Sequence, residues 1–213
     1  MTHEPHIPPA HFHIFTPCYD VLNEVLGLGR SFRRVVIETL ALKGNECVLD
    51  AGCGTGSLLA DLLATHPNIR LSGADPDTAA LAIARRKLQG DIERVKVIKA
   101  PMDRLPFADA SFDVVVSTLT FHHIPVERKS ASLAECRRLL RPGGRILLAD
   151  FGPDRARFFS RVALGFLNIF ESISDNTRLP NLLAEAGFAQ IRLVGRVHLT
   201  VMHTGLRGET RPT

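Results

Sequence analysis

Tryptophan is absent from this chain and tyrosine occurs once, at position 19. Two of the rings that stack on nucleic-acid bases are therefore nearly missing, and the 26 basic residues are scattered among 22 acidic ones rather than gathered into a stripe. With a net charge of +4 and a pI near 9.1, no nucleic-acid interface is indicated. Cysteine is almost as rare. Cys18, Cys47, Cys53 and Cys136 lie far apart without CxxC spacing, which suggests neither a disulfide framework nor a zinc site and suits a reducing cytoplasm. No 18 uncharged apolar residues follow one another, and the opening "MTHEPHIPPAHFH" has no basic region leading into an apolar run. Neither a membrane-spanning helix nor an export signal is expected. That opening carries His3, His6, His11 and His13, but prolines interrupt them and no second ligand cluster accompanies them. The expectation is a solvated tail over residues 1–14 and no metal site.

What the chain does have is alternation. Short apolar runs at "CVLDA", "IRLSGAD", "RVKVIKA", "FDVVVST" and "RILLADF" read as buried strands. Between them, "GSLLADLLATH", "DTAALAIARRKL" and "ERKSASLAECRRLL" repeat apolar residues every three or four positions, as one face of a helix requires. Asp77 suits the cap of the second helix, and Pro142-Gly143-Gly144 is expected to end the third in a sharp turn. A helix around residues 179–186 and two strands, "FAQIRLVGR" and "HLTVMHT", close the chain, the strands so near in sequence that antiparallel pairing is simplest. At 213 residues and 45% hydrophobic composition, one core is expected. The fold class is α/β: a Rossmann-like, doubly wound, seven-stranded sheet, mostly parallel with an antiparallel closing strand. Its divisions run 15–43 for leading helices, 44–151 for the ligand-binding core, 152–178 for a lid-like helix and 179–213 for the closing elements.

The sequence "CVLDAGCGTGSLLADL" sits where such a sheet binds ligands, at the carboxyl end of its first strand. Gly52, Gly54 and Gly56 let a ligand approach the backbone, and the N–H groups at the start of the next helix suit an anion. A dinucleotide fingerprint would read GxGxxG/A, whereas Ser57 stands three residues after Gly54 and Asp50 precedes the first glycine by two. A carboxylate is awkward beside a pyrophosphate but suits an ammonium next to a carboxylate, the amino-acid end of S-adenosylmethionine. Asp75, at the end of the second strand, is placed to accept two ribose hydroxyls. A nucleotide phosphate site and a nicotinamide-dependent oxidoreductase are the competitors.

Four ordered motifs, "VLDAGCGTG", "GADPD", "LPFADASFDVVVS" and "ECRRLLRPGGRILLADF", resemble the class I S-adenosylmethionine-dependent methyltransferases of the methyltransferase type 11 kind. Upstream, "YDVLNEVLGLGRSFRR" resembles the leading helix of the ubiquinone and menaquinone biosynthesis methyltransferases. The resemblance implies S-adenosyl-L-methionine as cofactor, with Tyr19 near its methionine end. Gly52, Gly54 and Gly56 would form the cradle, Asp75 would hold the ribose, Met102 and Asp103 would meet the adenine, and Asp50, Cys53, Pro76 and Thr118 would be further cofactor contacts. Pro101 departs from the family pattern "GDAExLPF", taking the place of the acid that holds the adenine amino group; Asp103 is the nearest substitute.

Methyl transfer from a sulfonium asks mainly for alignment in a dry site, with a base only where the nucleophile carries a proton. His122 and His123, just after the fourth strand, are the candidate bases; one of them capping the next helix while the other faces solvent is the alternative. Phe121, His122 and Phe166 are the candidate acceptor contacts. The stretch "DRARFFSRVALGFLNIF" would place Phe158, Phe159, Val162, Phe166, Ile169 and Phe170 on one helix side and Arg157 and Arg161 on the other. Such a helix is either core or an apolar lid, and as a lid its arginines suit peripheral membrane contact. The expected acceptor is a small apolar molecule, quinone-precursor-like or lipid-like. A catalytically inactive cofactor-binding partner protein and a methyltransferase of a thiol or metalloid remain as alternatives, the last disfavoured by the cysteine pattern.

Overall fold

The computed structural model describes Glu24 and residues 27–91, 93–152, 178–197 and 200–208. Within them the order is α1 (Arg30–Leu40), β1 (Cys47–Ala51), α2 (Ser57–Thr65), β2 (Arg70–Asp75), α3 (Thr78–Lys87), β3 (Val95–Lys99), β4 (Phe112–Thr118), α4 (Val126–Leu139), β5 (Leu140–Phe151), α5 (Leu179–Glu185), β6 (Phe188–Val197) and β7 (Thr200–Arg207). Short 3₁₀ turns occupy Gln89–Asp91 and Phe121–His123.

One seven-stranded sheet results, in the order β3-β2-β1-β4-β5-β7-β6. The pairings among β1 to β5 are parallel, and β7 runs antiparallel to both β5 and β6. This is the doubly wound arrangement with one reversed strand that the alternation predicts. The chain winds outward through β2 and β3, then returns to place β4 on the other side of β1. That reversal opens a crevice between β1 and β4 at their carboxyl ends, which positions the site.

Neighbouring strand residues face opposite sides, so each strand feeds two cores. Val48, Val114, Val116 and Leu147 join Phe32, Val36 and Leu40 of α1 and Leu58, Leu59 and Leu62 of α2. Leu49, Val115, Ile146 and Leu148 join Leu133, Cys136 and Leu139 of α4 and Leu179 and Leu183 of α5. Both faces are covered, which is why these strands read as continuous apolar runs rather than alternating ones. Asp77 caps α3 as expected, accepting N–H bonds from Ala79 at 2.7 Å and Ala80 at 3.3 Å. Arg145 of β5 ties α1 to the sheet, donating to the Leu40 and Ala41 carbonyls and to Glu46.

The proline-glycine turn departs from expectation. Helix α4 ends at Leu139 and pairing begins at once, Leu140 opposite Phe112; residues 141–144 then bow out before Arg145 meets Val114. Gly143 adopts φ +78°, and a Cβ on Gly144 would lie 2.9 Å from the Arg141 carbonyl. The turn interrupts β5 instead of preceding it. Among the described residues no helix is long and apolar enough to cross a membrane.

Candidate active site

Beyond Ala51 the chain must reverse into α2 within five residues. Gly52, Gly54 and Gly56 do this at φ +85°, +51° and +75°, a region where a side chain is strained. Their surroundings give them separate tasks. A Cβ on Gly52 would fall 2.2 Å from Thr120 Cγ2, and one on Gly56 would fall 2.9 Å from Ala84 Cβ of α3. Among the described residues, a Cβ on Gly54 would meet nothing within 4 Å. The outer two glycines let the loop close on the protein; the middle one faces open space, where a ligand can approach the backbone.

The loop is pinned in that shape. The N–H groups of Gly52 and Cys53 both donate to the Ala74 carbonyl, at 2.7 and 3.1 Å, and the Thr120 hydroxyl donates to the Gly52 carbonyl at 3.0 Å. Gly52→Ala should therefore cost about 2–4 kcal/mol from left-handed strain and overpacking together. The urea midpoint checks it, a loss below about 1 kcal/mol meaning that the loop is adaptable.

Two carboxylates flank the open glycine. Asp75 accepts the Gly54 N–H at 2.9 Å through one oxygen and the Asp77 N–H at 2.8 Å through the other. Asp50, on the adjoining strand, is 1% exposed, and its Oδ1 is buried without a hydrogen-bond partner among the described residues. Such an orphan is rare and marks a site that a ligand or water completes. Burial, reinforced by the Asp75 charge, pushes the Asp50 carboxyl up to about 8. The folded state thus holds this proton far more tightly than the unfolded chain does, so the contribution to stability is full below about pH 4 and is lost as pH rises to about 8. Urea midpoints of the free protein should show that decline, and Asp50→Asn should flatten it; a decline of equal steepness in the variant would assign it to other groups.

Cys53 packs against Gly73, and burial with the nearby Asp50 and Asp75 charges pushes its thiol up. It is a small apolar filler, not a nucleophile. Cys136 is also buried and pushed up to about 12.

At the end of β4, Thr118 is followed by Leu119 at φ +51°, an uncommon backbone for a branched residue. That turn delivers Phe121–His123 to the same sheet edge. Sequence reasoning leaves His122 and His123 equivalent, and the structure separates them. His122 is 3% exposed, its Nδ1 lies 2.7 Å from Asp150 Oδ1, and its backbone N–H donates to Asp150 Oδ2 at 3.1 Å. His123 stacks on it at 3.9 Å between ring centroids, and burial together with His122 pushes its ring down to about 3. Asp150 is not among the residues that the sequence motifs single out. An acid closing an otherwise apolar strand, "RILLADF", is the signal that could have found it. Despite complete burial, the adjacent His122 holds the Asp150 carboxyl below the usual range.

On the far side of the crevice, Met102 is buried in a cluster with Ala100, Leu105 and Phe121. Both Asp103 oxygens accept N–H bonds from Arg128 of α4, each at 2.7 Å, so this carboxylate is occupied by a guanidinium. Phe121 is 1% exposed, with the Lys129 ammonium 4.9 Å from its ring centroid, and packs as core. Tyr19 and Phe166, with the lid-like segment, lie outside the described residues.

The family described as "Methyltransferase domain" matches residues 48–144, from β1 into the β5 excursion. The ubiquinone/menaquinone biosynthesis C-methyltransferase UbiE of a Marinomonas species is 34% identical over 158 residues, 71% of this chain and 61% of that protein. The demethylmenaquinone methyltransferase of Deinococcus radiodurans is 33% identical over 71% of this chain and 63% of its own length. The chain thus spans about three fifths of the length of these curated relatives. A SAM-dependent methyltransferase structure from Aquifex aeolicus shares the fold at a TM-score of 0.71 and 18% identity, over 92% of this chain and 98% of that one. The match covers the glycine loop, Asp50, Asp75 and the His122 turn, and over these residues this chain is similar to the methyltransferase-domain family.

Proposed function

We propose that the protein is an S-adenosylmethionine-dependent methyltransferase acting on a small apolar acceptor of the hydroquinone type. The observation that carries the reading is the buried oxygen of Asp50, which has no hydrogen-bond partner among the described residues, beside Gly54, which those residues leave open. That pair fits the cofactor's amino-acid end: the carboxylate receives an ammonium, and the Cβ-free backbone admits the chain beside it. Asp75 would take the ribose hydroxyls, and Met102 would pack on the adenine with Pro76 nearby. Where relatives carry an acid for the adenine amino group, Pro101 offers none, and Asp103 faces Arg128. Binding would ionise Asp50 opposite the ammonium, releasing a proton between about pH 5 and 8.

When bound, the cofactor supplies a methyl group on a sulfonium, already a good leaving group. The protein's own part is to align the acceptor, exclude water and take a proton. His122, backed by Asp150, would remove the acceptor's hydroxyl proton, which enriches the ring in electron density and makes its carbon or oxygen nucleophilic. A metalloid acceptor held by protein thiolates finds no support among the described cysteines: Cys53 and Cys136 are buried with raised thiols, and Cys47 begins β1, at the opposite end of the sheet. Phe166 remains the proposed apolar contact from the lid-like segment.

The test is transfer of label from methyl-labelled S-adenosylmethionine to reduced demethylmenaquinone in detergent. Label in the extracted quinol is the expected result. Label absent from the quinol but found in an amine or thiol from a metabolite panel overturns the acceptor class.

A further inference from the structure

We infer that Arg128 takes Asp103 out of cofactor recognition, so that this site holds the purine by its ring faces and does not read the amino group at its 6-position. The inference rests on the cofactor reading above and deepens it. The order of the strands sets where a base would lie. With the amino-acid end at Asp50 and Gly54 after β1 and the ribose at Asp75 on β2, the next stretch along the carboxyl edge of the sheet is the turn after β3. That turn adjoins Asp75, because the Ala100 N–H donates to the Asp75 carbonyl at 3.2 Å. Within it the Arg104 N–H donates to the Pro101 carbonyl at 3.1 Å, which makes Met102 and Asp103 the two central residues.

A purine 6-amino group donates hydrogen bonds, so reading it takes an acceptor. In this turn Pro101 has an apolar side chain, and its carbonyl already serves Arg104. Met102 is buried among Ala100, Leu105 and Phe121, and its thioether is a weak acceptor. The acids between β3 and β4 are Asp103 and Asp109, and arginines of α4 hold both. Arg138 pairs with Asp109, while Arg128 grips Asp103 through Nε on one oxygen and Nη2 on the other, each at 2.7 Å. A planar fork of this kind is strong, and it neutralises the charge that would strengthen a bond from an amino group to Asp103. Arg128 itself only donates, so it cannot replace the acceptor that it occupies. The ring faces are what such a turn can hold. The competing view is that Arg128 merely braces the turn while Asp103 reads the amino group all the same.

Two ligands separate these views: S-adenosylhomocysteine and its analogue with hydrogen in place of the 6-amino group, which keeps the ring nitrogens, the ribose and the amino acid. Calorimetric titration of the wild-type protein should give dissociation constants within about threefold of each other. A loss of about 10-fold or more for the analogue overturns the inference. In Arg128→Ala, which releases Asp103, the ratio should move to about 10-fold or more in favour of the amino form. The Arg128 side chain is half-exposed, so the fold should bear its removal. A variant that weakens both ligands equally, or leaves the ratio at its wild-type value, shows Arg128 to be a brace at most and overturns the inference. The wild-type ratio needs no variant and decides against or for the unread amino group even if Arg128→Ala fails to fold. A wild type that binds neither ligand contradicts the cofactor reading itself and removes the inference with it.

Discussion

Asp75→Ala should weaken S-adenosylhomocysteine binding about 10- to 150-fold while leaving a folded domain. That range follows from removing a charged acceptor, worth about 1.5–3 kcal/mol in hydrogen bonds to a ligand. In the free protein Asp75 already holds the glycine loop through Gly54 N–H and the start of α3 through Asp77 N–H. Its loss therefore both removes the ribose acceptor and loosens the backbone that meets the ligand. Asp75→Asn distinguishes the two effects, since an amide oxygen can still accept from Gly54. Equilibrium dialysis with labelled S-adenosylhomocysteine measures both variants. An Asp75→Ala protein that binds like wild type would remove Asp75 from the cofactor site.

The second large effect concerns the base. His122→Asn should lower kcat about 10²- to 10⁴-fold with cofactor affinity nearly intact. Asparagine is the informative replacement because its amide N–H can stand where Nδ1–H stands, so Asp150 keeps a donor and the buried pair is not broken. Replacement by alanine would leave an uncompensated buried carboxylate and confound catalysis with folding. His123→Ala should cost kcat no more than a few fold, because a ring pushed down to about 3 is a poor base at neutral pH. If the two variants show the reverse pattern, the roles assigned to the neighbouring histidines are exchanged.

Much of this architecture is legible in the chain because it is written locally. The strands "CVLDA" and "FDVVVST" appear with the bounds expected, and Asp77 caps α3 with a side chain two residues from its partner. The glycine loop is likewise local: three residues without Cβ between a strand and a helix mark a tight turn whose backbone can be approached closely. The separate tasks of those glycines are not legible, since they depend on Thr120 and Ala84, distant in sequence. Nor is the choice between His122 and His123, which share a dipeptide. What separates them is Asp150, 28 positions away and brought near by the pairing of β4 with β5. Asp103 is a similar case. Its spacing suggests adenine, but Arg128, near the start of α4, reaches it from a helix whose placement only the fold determines. The β5 excursion escapes the sequence because a proline-glycine pair marks a turn without showing whether strand pairing precedes it.

The central claim is that the loop from Gly52 to Gly56, between Asp50 and Asp75, is an S-adenosylmethionine site. Calorimetric titration of the wild-type protein with S-adenosylhomocysteine, repeated near neutral pH in two buffers of different ionisation enthalpy, tests it most directly. The account predicts saturable binding at one site per chain, with heats that differ between the buffers because Asp50 gives up its proton on meeting the ligand's ammonium. Absence of binding, or tight binding of NADH in its place, would contradict it.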